Sequence, residues 1–204
     1  MKTLFNQPSK IIFCKSCVLS NQKPVTIPEF LHQKGRKNAS YMNVNDEGVC
    51  VACKFHEMKY SSINWNEREK DLLKLLDKYR NKNYYDCLVP GSGGKDSAFT
   101  AHVLKHRYGM NPLTVTWPPI MYTDYGKKNF DNWLKLGGFD NVLLTPNPSV
   151  RQRLTRLAFK NLLHPFQPFV LGQKNLAPLI AQNFGIKLIF FGENESEYGA
   201  PMEK

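Results

Sequence analysis

The sequence predicts an α/β protein, a parallel sheet with crossover helices preceded by a small cysteine-bearing module. Three observations predict it. From residue 84 onwards, short apolar runs alternate with amphipathic runs of helical length, the pattern of parallel strands joined by crossover helices. A glycine-rich turn, Pro90-Gly91-Ser92-Gly93-Gly94-Lys95-Asp96-Ser97, lies where the first apolar run passes into a helical one. Two Cys-x-x-Cys pairs, Cys14 with Cys17 and Cys50 with Cys53, precede all of this.

A chain of 204 residues that is 42% hydrophobic has room for one α/β core and a small appendage. No apolar run approaches the roughly 18 residues of a spanning helix, and residues 1–17 lack the apolar core of a secretory signal. A cytoplasmic, reducing location is therefore expected, with no membrane partner, and the five cysteines read as ligands or core residues rather than disulfides. The formal charge of +11 suits polyanions such as RNA, nucleotides and phosphorylated or nucleotide-linked substrates. Charge alone does not choose among them.

The cysteine pairs come first in the chain. Two such knuckles bring four thiolates to one tetrahedral ion, and zinc is its natural occupant. Four protein ligands leave no open position for a bound water, so the ion reads as structural; a redox pair or an iron–sulfur cluster are the other uses of this pattern. The interval between the pairs exceeds the roughly 15–20 residues of a compact ribbon, so residues 19–49 are expected to form an extended loop or hairpin. His56, just past the second pair, is either a spare ligand or a surface histidine.

Residues 61–83 read as a connecting helix. Trp65, Leu72, Leu75, Leu76 and Tyr79 make its apolar stripe, with Glu67 and Glu69 early and Lys78 and Arg80 late, as the helix dipole favours. The helix is expected to pack the cysteine module onto the main domain. The domain boundaries that follow are 1–60, 61–83 and 84–204.

In the third region, residues 84–89 are aromatic and branched enough for a short buried strand. Residues 98–107 then place Phe99, Val103 and His106 at helical spacing. Strands follow at 113–117 and 141–144 and helices at 127–136, 150–162 and 175–184, while 187–191 is the strongest strand signal of all. Nucleotides bind at the carboxyl ends of such strands. Thr116 and Trp117, and then Gly192, Glu193, Asn194 and Glu195, are thus expected on the same rim as the glycine turn. The acidic tail residues either hold Mg²⁺ on ATP, orient a substrate, or form a solvated turn.

At a strand-to-helix turn the first helical amides have no intrahelical acceptor and the positive end of the dipole stands behind them, so an anion is favoured there. Glycines allow close approach and positive φ, Ser92 and Ser97 offer hydroxyls, and Lys95 offers a mobile charge. A Walker A loop requires glycine five residues before Gly94, where Val89 stands, and Ser or Thr after Lys95, where Asp96 stands. The dinucleotide fingerprint requires a third glycine where Asp96 stands. Neither pattern fits. Ser92-Gly93-Gly94-Lys95-Asp96-Ser97 instead resembles the Ser-Gly-Gly-x-Asp-Ser signature of the PP-loop ATP pyrophosphatases, which cleave ATP between the α and β phosphates. The plain alternative is a glycine turn with a capping serine.

A closer resemblance runs in order over nearly the whole chain. Cys14-x-x-Cys17, Gly48-Val49-Cys50-x-x-Cys53, Tyr85-Asp86-Cys87-Leu88-Val89-Pro90 leading into the glycine turn, Gly192-Glu193-Asn194, and Glu197-Tyr198-Gly199 are similar to the N-acetyl sugar amidotransferases. These are PP-loop enzymes of surface-polysaccharide, lipopolysaccharide and nonulosonic-acid pathways that convert an acetamido group into an acetamidino group. The resemblance implies an adenine-nucleotide α-hydrolase-like, Rossmann-like PP-loop domain with ATP, Mg²⁺ and a structural Zn²⁺. Its implied ATP-binding residues are Ser92, Gly93, Gly94, Lys95, Asp96, Ser97, Thr116 and Gly192, its catalytic residues Lys95, Asp96 and Glu193, and its metal ligands Cys14, Cys17, Cys50 and Cys53. The segment 19–49 is longer than in the family, and residues 118–125 carry no recognisable motif. Family members continue past the Glu-Tyr-Gly stretch, which implies a carboxyl-terminally shortened chain here.

The implied chemistry is adenylation. An amide carbon is a poor electrophile, so its oxygen would attack the α phosphate, pyrophosphate would leave into the amides of the turn, and ammonia would displace AMP. Asp96 would hold the metal or a loop amide, or else cap the helix. A built-in glutaminase needs an activated cysteine, yet four of the five are paired and Cys87 lies within a strand, where a buried hydrophobe is the better reading. A separate glutamine amidotransferase partner is expected to supply ammonia. Two rivals stand beside this reading. One is a tRNA-modifying enzyme of thiolation or lysidine type, favoured by Arg153, Arg156 and Lys160 on one helix face opposite Leu154, Leu157 and Leu162, a face that is otherwise solvated or partner-binding. The other is a non-catalytic remnant that keeps the nucleotide pocket and the metal module.

Overall fold

The computed structural model describes residues 3, 6–25, 41–80 and 84–193. They fall into two compact units, one within Met1–Glu67 and one over Arg68–Glu193. The element order is α1 (Val51–Ser61), α2 (Trp65–Tyr79), β1 (Cys87–Pro90), α3 (Lys95–His102) continuing as a π-helical turn (Val103–Arg107), β2 (Pro112–Thr116), α4 (Asp124–Gly137), β3 (Asn141–Leu143), α5 (Pro148–Leu162) and α6 (Gln167–Asn183).

The second unit is the expected parallel sheet. Its strands run in the order β1-β2-β3, with Leu88 beside Leu113 and Val115 beside Val142. Both crossovers carry helices, because parallel neighbours cannot be joined by a tight turn. Strand periodicity divides the core. Cys87 and Val89 face one side with Leu76 of α2, Ala101 and Leu104, Phe130 and Trp133 of α4, and Phe139. Leu88, Leu113 and Val115 face the other with Leu176, Ala177, Ile180 and Ala181 of α6. Between β2 and β3, Asn141 Oδ1 accepts from the hydroxyls of Thr114 and Thr116 at 3.0 and 3.1 Å, which satisfies two fully buried polar side chains.

Local chemistry sets the element ends. Thr123 caps α4, its hydroxyl accepting from the Gly126 amide at 3.0 Å. At the far end Gly138 takes a left-handed φ of 62°, and Lys105 donates to the carbonyls of Gly137 and Gly138. Asn147 caps α5 by accepting from the amides of Ser149 and Val150, with Pro148 inside the first turn. Asp86, buried ahead of β1, accepts from the Asn111 amide at 2.8 Å and so ties the entries of β1 and β2 together.

Several expectations change. Residues 187–191, expected as the strongest strand, form one parallel bridge of Ile189 with Leu88. Leu88 donates to Leu188 O and accepts from Phe190 N, both at 2.9 Å; the next rung would need an amide from Pro90, which has none. β1 begins at Cys87 rather than residue 84. Helix α6 begins at Gln167 rather than near 175, its first turns disguised by Pro168 and Gly172. The stripe Phe99, Val103, His106 is not the buried face, since Phe99 is exposed and Ala101 and Leu104 are buried; the π-helical turn shifts the register there. In α2, Leu72 and Leu76 meet the core while Trp65 and Leu75 stay exposed. In α5, Leu154, Leu157 and Leu162 are exposed and Ala158 is the buried residue, so its leucine stripe is not the packed face.

The first unit is built differently. Among the described residues its buried core cluster is Cys14, Met42 and Cys50, with partly buried residues such as Leu19, Val44 and Val51 packed against it, and α1 has no buried residue. Within the expected loop or hairpin of 19–49, isolated antiparallel bridges join Pro24 to Tyr41 and Val44 to Cys50; residues 26–40 lie outside the described ones. Among the described residues no helix is long and apolar enough to cross a membrane.

Candidate functional site

The glycine turn leaves β1 at its carboxyl end and opens α3. Gly94 is the N-cap, with extended backbone and no side-chain capping bond, and the first helical bond runs from the Ala98 amide to Gly94 O at 3.0 Å. The amides of residues 95–97 therefore precede the intrahelical ladder, at the positive end of the helix. Ser97 Oγ donates to Gly94 O at 3.1 Å and closes the turn from within.

The glycines divide by what surrounds them. Gly93 has φ +83°, and a Cβ there would lie 2.6 Å from Phe130 Cα, so the turn is seated on the backbone of α4. A Cβ on Gly91 would meet Ser97 Cβ at 2.5 Å and Trp133 at 2.8 Å. Gly192 lies against the start of α3, where a Cβ would stand 2.7 Å from the Ser97 amide nitrogen. Gly94 differs from all three, with nothing within 4 Å of the added Cβ. Three glycines are needed for packing, and the fourth leaves an open face above the helix start.

The charged groups stand at that opening. Lys95 Nζ lies 2.6 Å from Asp96 Oδ1, with 87% of the lysine side chain exposed. Asp96 sits in the first turn of α3 and does not cap it, since Gly94 holds that position. Ser92 is half-buried within the turn. Thr116 is at the carboxyl end of β2 as expected, but it is fully buried, its hydroxyl donates to Asn141 and its carbonyl accepts from the Leu144 amide, so it presents no side-chain group to a ligand. Glu193 is exposed one residue past Gly192; Asn194, Glu195 and the Glu197-Tyr198-Gly199 stretch lie outside the described residues. Cys87 is buried in β1, its thiol pushed up to about 12 by desolvation and the nearby Asp86 charge, which makes it a core residue rather than a nucleophile.

Sequence reasoning missed Trp133 and Asn141. Trp133 sits under Gly91, and Asn141 holds both β2 threonines. Both are single side chains on elements whose register only packing sets, and no local pattern marks them.

The second candidate site is the cysteine cluster. The four Sγ atoms of Cys14, Cys17, Cys50 and Cys53 lie within 4.8 Å of one another, with Cys14 to Cys53 at 3.9 Å and Cys17 to Cys50 at 3.7 Å. Zinc–sulfur bonds of about 2.3 Å at tetrahedral angles place sulfurs about 3.8 Å apart, so the donor set fits that ion. Backbone amides are already aimed at the sulfurs, from Ser16 and Cys50 to Cys14 Sγ at 3.3 Å and from Leu19 to Cys17 Sγ at 3.5 Å. The backbone amides of Cys50 first, then of Ser16 and Cys17, lower Cys14 to about 6 against the effect of burial, while the Cys17 sulfur and then burial push Cys53 up to about 12. Four thiolates this close cannot all ionise without a cation among them. His56 is outside the cluster and its exposed ring pairs with Tyr60 at 4.7 Å.

No known protein-family model matches the chain. Over 80 residues the chain is 30% identical to an uncharacterized protein of Methanocaldococcus jannaschii, a stretch that covers 39% of this chain and 28% of that protein. Among solved structures it is similar to the NH3-dependent NAD synthetase of Campylobacter jejuni, with TM-score 0.48 and 13% identity over 67% of this chain and 59% of that one. It is also similar to the NMN synthetase of Francisella tularensis, with TM-score 0.49 and 15% identity over 67% of this chain and 57% of that one. The chain spans less than two thirds of the length of each of these proteins.

Proposed function

We propose that this chain is an ATP-dependent amidotransferase of the PP-loop type, which adenylates the acetamido oxygen of an N-acetyl sugar and lets ammonia displace AMP to leave an acetamidino group. The observation that carries the reading is the open, uncapped start of α3 behind the Ser92–Ser97 turn, at the carboxyl end of a parallel strand.

In this mechanism the amides at the start of α3 hold the β and γ phosphates as pyrophosphate leaves. The acetamido oxygen forms a bond to the α phosphorus, and the bond from that phosphorus to the bridging oxygen breaks. Ammonia then adds to the activated carbon and gives up one proton to water, the bond from that carbon to the AMP oxygen breaks with its electrons leaving on AMP, and the protonated amidine forms. Lys95, whose ammonium is solvent-exposed, turns from Asp96 toward the β phosphate. Asp96 is the carboxylate in the turn, and one or two carboxylates with phosphate oxygens are what Mg²⁺ takes. When bound, Mg²⁺ supplies charge neutralisation on the departing pyrophosphate. Glu193 orients the acceptor from beside Gly192. Cys14, Cys17, Cys50 and Cys53 would hold a structural zinc, and ammonia comes from a separate glutamine amidotransferase.

The test is the release of AMP and pyrophosphate. Release that needs both an acetamido sugar and ammonia supports the proposal, whereas turnover that needs tRNA instead overturns it. ATP binding with no AMP under either condition would indicate a remnant. The tRNA reading draws on α5, where Arg153, Arg156 and Lys160 are all exposed on one stripe.

A further inference from the structure

Helix α5 serves neither candidate site. Residues 141–192, which contain it, hold six Lys or Arg and no Asp or Glu, although the chain has 17 acidic residues elsewhere. Among the described residues, no ion pair includes Arg153, Arg156 or Lys160, and all three are exposed. The sequence supplies their charge and nothing near it in the chain to neutralise it. An exposed apolar row lies beside them, with Val150 at 54%, Leu154 at 47% and Leu157 at 54% exposure. Contiguous apolar surface of this kind marks interaction sites.

The two rows have a definite geometry. Ala158 is the buried residue of α5 and α6 is its packing partner. At about 100° per residue, Val150, Leu154 and Leu157 point about 40–100° away from the Ala158 direction, and Arg153, Arg156 and Lys160 about 140–160° away. The apolar row therefore runs along the flank of the helix and the cations along its crest. Val150, Leu154, Leu157 and Asn161 follow one another at spacings of four, three and four, which is the d-a-d-a seam of a heptad. Arg153 and Lys160 then fall at the g positions, where paired helices set their charges. Arg153, Arg156, Leu157 and Lys160 also line an open hollow of about 360 Å³.

The occupant has to satisfy both rows at once. A bilayer surface is flat and meets the cationic crest, leaving the apolar flank outside the acyl region. A nucleic-acid backbone neutralises the cations but gives Val150, Leu154 and Leu157 only phosphate and water. A second α5 brings no carboxylate, because the helix has none, and sets cations beside cations. A helix with an apolar seam and carboxylates along its edge matches both rows. We propose that the exposed face of α5 docks an acidic amphipathic helix of another protein, its seam against Val150, Leu154 and Leu157 and its carboxylates toward Arg153 and Lys160. Such docking does not depend on whether the chain adenylates a sugar.

Fluorescence anisotropy on the full chain tests this with a labelled three-heptad peptide carrying Leu at a and d, Asn at the central a and Glu at e and g. Its like-charged edges oppose pairing with itself. The controls are the same peptide with Lys at e and g, and the Glu peptide in scrambled order. The Glu peptide should bind at least ten-fold more tightly than either control, and added salt should weaken it. Leu154→Ser should cost ten-fold or more in that affinity. Arg153→Glu combined with Lys160→Glu should invert the preference toward the Lys peptide, and because both positions are exposed this variant decides the matter even where Leu154→Ser unsettles the helix. Equal binding of the three peptides, or a Glu preference that survives the charge reversal, overturns the proposal. Tighter binding of an RNA hairpin or of phosphatidylglycerol vesicles than of the Glu peptide also overturns it, since the face would then belong to a phosphate surface. So does a dimer in sedimentation that Leu154→Ser dissolves, because a second copy would then cover the seam.

Discussion

The two units reach their folds by different means. The α/β unit buries Leu76, Leu88, Val89, Leu113 and Val115 completely and is held by a core on each face of its sheet. Among the described residues the cysteine unit's core cluster has three buried side chains, two of them cysteines, and its helix α1 buries none. So few buried side chains set little against the conformational entropy of ordering the chain, and the four sulfurs are a donor set through which an ion would add to it. The difference lies in the means: apolar layers on the two faces of a sheet in one unit, and in the other a four-sulfur cluster that a metal ion fits.

Metal removal should break this contrast most sharply. Structural zinc contributes on the order of 10–16 kcal/mol in small modules, so a strong chelator should make residues within 1–60 protease-sensitive while the α/β unit keeps its cooperative melt. A cysteine unit that stays protected without metal would remove the difference. Leu88→Ala tests the other side, with an expected cost of about 2–5 kcal/mol in the thermal or denaturant unfolding of the α/β unit and unchanged metal content. If metal binding fell with it, the two units would not be independent.

Within the α/β unit, the glycines sharpen the separation of folding from chemistry. Gly93→Ala places a side chain on a left-handed residue against the Phe130 backbone, so about 2–4 kcal/mol of stability and measurable ATP binding should both be lost. Gly94→Ala meets no atom, so stability should stay within about 0.5 kcal/mol while ATP affinity falls roughly ten-fold as the methyl crowds the helix start. An affinity unchanged in Gly94→Ala would mean that phosphate does not sit there. Asp96→Asn should likewise change folding little. Its ion pair with Lys95 is solvent-exposed and worth less than about 1 kcal/mol, yet AMP release should drop roughly a hundred-fold. A rate equal to that of the unaltered protein would remove Asp96 from the mechanism.

Much of the fold was legible because strand and helix periods are local properties. The three strands, α4 and α5 lie within a few residues of their expected positions. The errors come from places where one neighbour overrides the pattern. Residues 187–191 are branched and aromatic enough for a strand, but Pro90 of the adjacent strand withholds the amide that would extend the ladder. Gly172, inside α6, is the contact point for the Trp117 indole, which a Cβ would meet at 2.1 Å. The leucines of α5 have helical spacing, yet Ala158 is its buried residue and α6 its packing partner, and spacing alone cannot say which of two stripes faces inward.

The same division runs through the candidate sites. By itself the sequence determined the parallel α/β class, the position of the glycine turn between strand and helix, and the four cysteines as one set, because turn chemistry and ligand spacing are short-range. Only the tertiary structure decided that Gly94 is the open glycine while Gly91, Gly93 and Gly192 are packed. It likewise decided that the Thr116 hydroxyl is turned to Asn141 and that Trp133 packs under Gly91. Those facts depend on which atoms meet across gaps of tens of residues, and close packing, which admits one arrangement, settles them where local pattern admits several.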